Sequence, residues 1–374
     1  MRHRPLVLLA VTAVTAGLTA CGASPTASPG AEDGAQSALA ASAQEMYDRI
    51  NGMSGQERTD ELVRLAEEEG QLNVYTSNTD MDDLVEGFTD LYDIEVNVYR
   101  ANSESVLQRI LQEDSASYYG ADLFETNALE LGVAAQEGLL YPYRSELRDS
   151  VREEGRQSEA WTATRFNAFV VGWNTDNVPA GTEPTSLEEL AEPQWAGRIS
   201  MEIGDVDWFT AIHDYYVEQG MTEEETVDLL TRIASNAQVA KGHTVQGELL
   251  SAGQFDVTVS SYSHTIDKAA ADGAPVAWVP ASGEPVQPIV VRPNGIGLVK
   301  TATNPAAALL FVDYELTGGQ DVFAEAFRVG AIEGADDPLA DFEVIAVPEQ
   351  KLLDDPTTWN ELYEQVVLNG EQLD

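Results

Sequence analysis

From Leu72 onward the apolar positions switch repeatedly between a period of two and a period near 3.6, the marks of strands and amphipathic helices. Leu72–Thr76 predicts a strand, and Met81, Leu84, Val85, Phe88, Leu91 and Tyr92 then recur at helical spacing. Ile94–Val98 alternates as a strand, Val106, Leu107, Ile110 and Leu111 mark the next helix, and Ala121–Phe124 is a short strand. Farther on, Phe166–Trp173 predicts a long apolar strand, followed by a Pro-rich loop over Val178–Pro184, and Phe255–Val259 and Val276–Val279 predict further strands. Ser186 with Glu189 and Thr222 with Glu225 read as capping boxes, and Asn304-Pro305 as the N-cap and first residue of a helix through Leu316. Strand–helix–strand succession of this kind predicts an α/β fold with helices on both faces of a parallel sheet.

The first residues follow a different pattern. Basic Met1–Pro5 precedes an uncharged apolar run, Leu6–Leu18. That run is shorter than the roughly 20 residues of a membrane-spanning helix and reads as a secretory leader. It closes on Leu18-Thr19-Ala20-Cys21-Gly22, which resembles the bacterial lipoprotein signal. The resemblance implies cleavage before Cys21, lipidation of its thiol and a protein anchored by lipid to the outer face of the cell membrane. Cys21 is the single cysteine, so no internal disulfide forms. Gly22–Gln44 is rich in Ala, Ser, Pro and Gly and reads as a flexible tether. The expected organisation is therefore a signal peptide over 1–20, a tether over 21–44 and a remainder long enough for two lobes.

Charge narrows the function. A net charge of −44 excludes nucleic acid, whose recognition needs Lys and Arg on phosphates. The acids are spread along the whole chain, which suits a solvated acidic shell screened by salt better than a cation-binding surface. Gly-x-Ser-x-Gly, His-Glu-x-x-His, P-loop and paired-cysteine patterns are absent from the sequence, and it holds four histidines, so an enzyme is not expected.

Seven segments, in order, carry a wider resemblance. They are Gly70–Ser77, Gly120–Phe124, Glu137–Leu140, Pro193–Ile199, Gly253–Val257, Gly273–Val276 and Asn304–Phe311. Together they resemble the ferric-iron-transport class of type II periplasmic binding proteins. The resemblance implies two α/β lobes joined by hinge strands, at about Asn167–Asn174 and Ile289–Leu298, with a ligand cleft between them. It places the first lobe over 45–166 and 290–335 and the second over 167–289, and leaves the helical segment 336–374 unassigned. It further implies the monomeric substrate-binding component of an ABC importer, capturing a small molecule or ion for a permease and an ATPase. A ligand-binding accessory of a sensor or receptor system is the alternative.

Candidate ligand-binding residues follow predicted strands or open predicted helices, where free backbone N–H groups favour anionic or polar ligands. They are Ser77, Asn78 and Thr79 after the first strand, Ser103 before a helix, and Glu125, Thr126 and Asn127 after the third strand. In the second lobe they are Asp207 and Trp208, with Asp205 at the same helix start, Lys241 and His243, and Tyr262 and His264. Plain helix capping or core packing is the competing reading for each. Ferric-binding relatives carry two adjacent tyrosines where this chain has Tyr262-Ser263, and Thr79 and Asn127 stand where they carry His and Glu. A ferric site would rest on Tyr262 with Glu125, Asp207 or His264. No cofactor is expected. As cargo, Fe³⁺ with an accompanying anion, a phosphonate or sugar phosphate, and a small organic cation all stay open.

Changing Cys21 to Ser removes the acylated thiol and should release the protein from the membrane fraction with loss of the lipid mass. Retention of both by Cys21→Ser would disprove the anchor.

Overall fold

The structure is a computed structural model that describes residues 29–332, 334 and 337–368. The expected signal peptide, Cys21 and the first part of the tether lie outside the described residues. The tether ends sooner than expected, because a helix runs over Pro29–Asn51. Alanine is the best helix former, and Ala43, Tyr47 and Ile50 recur at helical spacing and are buried. Tyr47 also donates its hydroxyl to the carbonyl of Val299 at 3.0 Å, fixing this helix to the body of the protein.

Among the described residues the strands are β1 (Gln71–Thr76), β2 (Glu95–Arg100), β3 (Leu123–Asn127), β4 (Leu140–Tyr141), β5 (Thr162–Asn174), β6 (Ile199–Glu202), β7 (Ala237–Ala240), β8 (Val257–Tyr262), β9 (Val276–Ala277), β10 (Ile289–Val299), β11 (Val329–Gly330) and β12 (Val344–Ala346). The main path of the sheet runs β2-β1-β3-β10-β5-β8-β6-β7. Outer neighbours β2-β1-β3 and β8-β6-β7 pair in parallel, whereas β10 and β5 run antiparallel to each other and to β3 and β8 beside them. These two long strands, buried along nearly all their length, join the two halves, and Val290↔Phe169 through Ile296↔Thr162 sets their register. The β5–β8 pairing carries a bulge, beside which Ser260 adopts φ 58°, a left-handed conformation costly for a non-glycine residue. Two residues later Tyr262 closes β8.

One apolar core packs the β1–β3 side, with Phe88, Phe124, Phe166 and Phe311 at its centre. A second gathers Phe169, Trp173, Trp208 and Phe209, and also Leu352, Trp359, Tyr363, Val366 and Val367. From Val347 on the C-terminal segment therefore packs on the β6–β8 side, whereas Leu339 joins the first core.

Capping differs from expectation in two places. Thr222 and Glu225 make the reciprocal capping box, but Glu189 reaches back to Thr185 rather than Ser186. Asn304 does not cap the helix Pro305–Glu315; its side-chain amide donates to Asp122. Glu69 caps instead, accepting from the amides of Ala306 and Ala307 at 3.1 and 2.8 Å. Asp122 is fully buried and accepts six hydrogen bonds, from the amide N–H and side chain of each of Asn73, Thr303 and Asn304. It ties β1 to the start of the Pro305 helix. Replacing it by Asn puts an amide N–H₂ against those donors and strands several of them. Asp122→Asn should cost roughly 2–4 kcal/mol, seen as a lower urea midpoint at unchanged slope; an unchanged midpoint would contradict this role.

Candidate functional site

Between the two halves of the sheet lies a cavity of about 730 Å³. Six helices begin at its wall: Met81–Thr89, Ser103–Ser115, Ala128–Gln136, Val206–Glu218, His243–Ser251 and Ser263–Ala271. Each follows a strand or a short loop, so the parallel pairing on both sides delivers helix N-termini to one place. Their free N–H groups and partial positive charge favour anionic groups there.

The cavity has two chemically distinct walls. Four arginines, Arg100, Arg165, Arg292 and Arg328, reach it. Arg165 pairs with Glu125, which also accepts from Thr76 at 2.6 Å and Asn78 at 3.0 Å. Arg328 pairs with Asp80 at 2.7 Å and donates to Thr79 at 2.8 Å, and its guanidinium lies 2.6 Å from Nε2 of His264. Arg292 pairs with Asp207 at 2.8 Å and donates to the hydroxyl of Tyr262. Arg100 donates Nε to the carbonyl of Asn78 at 3.0 Å and is otherwise exposed. The Nε groups of Arg165 and Arg292 are buried and have no partner.

The opposite wall is acidic and aromatic. Glu202 ends β6, Asp205 stands just before the helix Val206–Glu218 without a side-chain bond to it, and His243 opens the helix His243–Ser251. His243 Nε2 lies 3.0 Å from Asp205 Oδ1. The ring of Tyr262 lies between His243 and His264, at centroid distances of 3.7 and 5.3 Å. Tyr363, far along the chain, donates its hydroxyl to the carbonyl of Glu202 and accepts from the amide of Asp205, bracing the loop that carries both acids.

Of the residues singled out from sequence, Ser77, Asn78, Thr79, Ser103, Asn127, Asp207, His243, Tyr262 and His264 line this cavity. Four do not. Glu125 and Thr126 are fully buried beneath it, the first held by Arg165 and the second bonded to Ser77 at 3.0 Å. Trp208 turns into the second core. Lys241 is exposed outside the cavity, and the arginines supply its cations instead. Those arginines, with Glu202 and Asn167, were not singled out, whereas Asp205 was and also lines the cavity. Arg165 and Arg292 carried a readable signal, since each stands in or beside an apolar strand where an unpaired charge is costly.

A family model described as "Bacterial extracellular solute-binding protein" matches residues 122–326. Iron uptake protein A2 of Synechocystis sp. is 31% identical over 278 residues, 68% of this chain and 75% of that protein. Iron uptake protein A1 of the same organism is 29% identical over 265 residues, 66% of this chain and 71% of that protein. Iron-bound HitA from Pseudomonas aeruginosa shares the fold with a TM-score of 0.66 at 17% identity, over 79% of this chain and 99% of its own. AfuA from Actinobacillus pleuropneumoniae, solved with exogenous fructose-6-phosphate bound, gives 0.64 at 19% identity, over 80% and 99%.

Burial governs titration around the cavity. It holds the His264 imidazole well below its usual range, with the Arg328 charge adding, so this ring is neutral near pH 7. It raises the Tyr262 phenol despite the opposing Arg292 charge. Behind Asp207, burial pushes the Glu349 carboxyl up to about 8, with Asp207 adding and Arg292 opposing. A carboxyl raised on folding binds more protons in the folded than in the unfolded chain. Its stabilisation is present below the unfolded value near 4.5 and is lost as pH rises toward 8. Glu349→Gln removes this dependence, so the melting temperature of the variant relative to the parent should climb between about pH 5 and 8. A difference that stays flat or falls would contradict the assignment.

Proposed function

The chain belongs to the bacterial extracellular solute-binding proteins and has the type II periplasmic-binding fold, two α/β lobes joined by β5 and β10 across a cleft; from that premise we propose that it is the lipid-anchored capture component of an ABC importer, taking an anionic solute with a phosphate-like group. In keeping with its relatives it is a solute-binding protein and not an enzyme. The leader ending at Cys21 supports anchoring on the outer face of the membrane, with a permease and an ATPase as partners. We assign the C-terminal segment from Val347 on to the second lobe, on whose core it packs.

The convergence of Arg100, Arg165, Arg292 and Arg328 on one cavity carries the cargo reading. The chain as a whole is heavily acidic, and lysine and arginine together number 20. Guanidinium groups present paired donors that match phosphate oxygens, and the unpartnered Nε groups of Arg165 and Arg292 are buried donors for which a ligand oxygen is a fitting acceptor. Ser77, Thr79, Ser103 and Asn127 add neutral donors at helix starts. The relatives named for iron uptake bring ferric iron forward as a rival. Against it, Tyr262 is the single tyrosine lining the cavity among the described residues, its hydroxyl is already taken up by Arg292, and burial raises its pKa despite that charge, which disfavours a phenolate ligand.

Calorimetry with inorganic phosphate, a phosphonate, a sugar phosphate and ferric citrate separates the two. Arg100 is exposed, so Arg100→Ala should fold normally and weaken phosphate-ester or phosphonate binding about tenfold or more, as a lost charged hydrogen bond does. Tyr262→Phe should change that affinity tenfold at most. Binding of ferric citrate alone, with a visible charge-transfer band abolished in Tyr262→Phe, would overturn the anion reading in favour of iron.

A further inference from the structure

We infer that Glu202, Asp205 and His243 form a binding site for a divalent first-row transition metal ion in the second-lobe wall of the cleft. One donor atom from each of the three residues lies within 4.8 Å of the others, a spacing that a small contraction brings to metal-ligand distances near 2 Å. Three elements supply them, the end of β6, the start of the helix Val206–Glu218 and the start of the helix His243–Ser251, so the cluster comes from the fold rather than from one loop.

The electrostatics leave room for a cation. Glu202 and Asp205 are 7% and 2% exposed, and among the described residues neither is ion-paired with Lys or Arg. One oxygen of Asp205 faces His243, and the other is buried without a partner, as is Nδ1 of His243. Two desolvated carboxylates close together, one of them with an unpartnered oxygen, are costly unless a cation joins them, and Arg292, whose charge reaches Asp205, is itself bonded to Asp207 and Tyr262. Their orientation is also fixed. The amides of Gly204 and Gly242 hold the two oxygens of Glu202, the second at 2.8 Å, and Tyr363 clamps the backbone between Glu202 and Asp205. A tilted ring contact with Tyr262 at 3.7 Å and an edge contact with Phe169 at 6.0 Å set the imidazole plane. Partners of this kind, bonded to the ligands themselves, tune metal sites.

Two carboxylates and one imidazole suit zinc or manganese; an all-oxygen set would favour calcium or magnesium, and thiolates a softer ion. Three protein ligands leave coordination positions toward the cavity, for water or for an oxygen of the anion proposed above. Only this last point rests on that reading, since metal binding is measured without any anion.

The test is zinc titration of the whole protein by calorimetry, in high salt with excess magnesium to suppress loose binding by the acidic surface. One zinc ion per chain is expected. Asp205→Asn and His243→Gln should each weaken it at least tenfold to a hundredfold, the loss that even groups one bond further from a metal incur. Cobalt should give a visible d–d band that disappears in His243→Gln. Absence of saturable one-to-one zinc binding, or affinity unchanged in both variants, overturns the site. Should either variant fail to fold, the parent's cobalt spectrum decides, and a spectrum no different from aqueous cobalt overturns it as well. Failure of the anion reading would show separately, as phosphate-ester affinity indifferent to Arg100→Ala, and would leave the zinc titration untouched.

Discussion

Every part of this molecule hangs on the antiparallel pairing of β5 and β10. Paired together, they contribute hydrogen bonds to both halves: β10 to β3 on one side, β5 to β8 on the other. A one-residue slip in their register would turn the apolar faces outward along both strands and would also move Arg165 and Arg292, which ride on or beside the pairing, out of the cleft. Core, site and hinge are thus specified by the same ladder of backbone bonds.

The distribution of charge follows from the same geometry. A surface crowded with carboxylates is tolerable because it is solvated and screened. A cavity crowded with them is not, and here the arginines answer the acids: Glu125 with Arg165, Asp207 with Arg292, Asp80 with Arg328. Among the described residues Glu130, Glu202 and Asp205 line the cavity without such an ion pair, and the last two, close together beside His243, give the second-lobe wall its separate chemistry.

How much of this was legible in the sequence depends on how local the cause was. The strands β1, β2, β5 and β8 and the helix Met81–Thr89 follow from their local apolar patterns, including β5, which is buried along its whole length, and β2, which stays partly exposed. Capping was less legible. Thr222 and Glu225 cap each other across three residues, but the helix at Pro305 is capped by Glu69, more than two hundred residues upstream, and nothing near Asn304 reports that. The same holds for the cleft. Residues at strand ends, such as Thr79, Asn127 and Tyr262, are visible as loop positions. Arg328, Glu202 and the bracing Tyr363 arrive through tertiary packing, and a short polar context around each gives no hint of the company it keeps. The Ala-rich stretch after Pro29 misled in the opposite sense, since low bulk argued for a tether while helix propensity and three buried positions decided otherwise.

Arg328 touches Thr79 and Asp80 of the first lobe and His264 of the second, and so joins two surfaces that must separate when the cleft opens. An incoming anion would meet a guanidinium already engaged. Capture is then a trade of partners rather than the filling of a vacancy, and the net affinity reflects the difference between the old contacts and the new. Such an arrangement discriminates by quality of fit: a weakly matched anion gains too little to displace the resident acid, whereas a well-matched one does so and leaves Asp80 to the solvent.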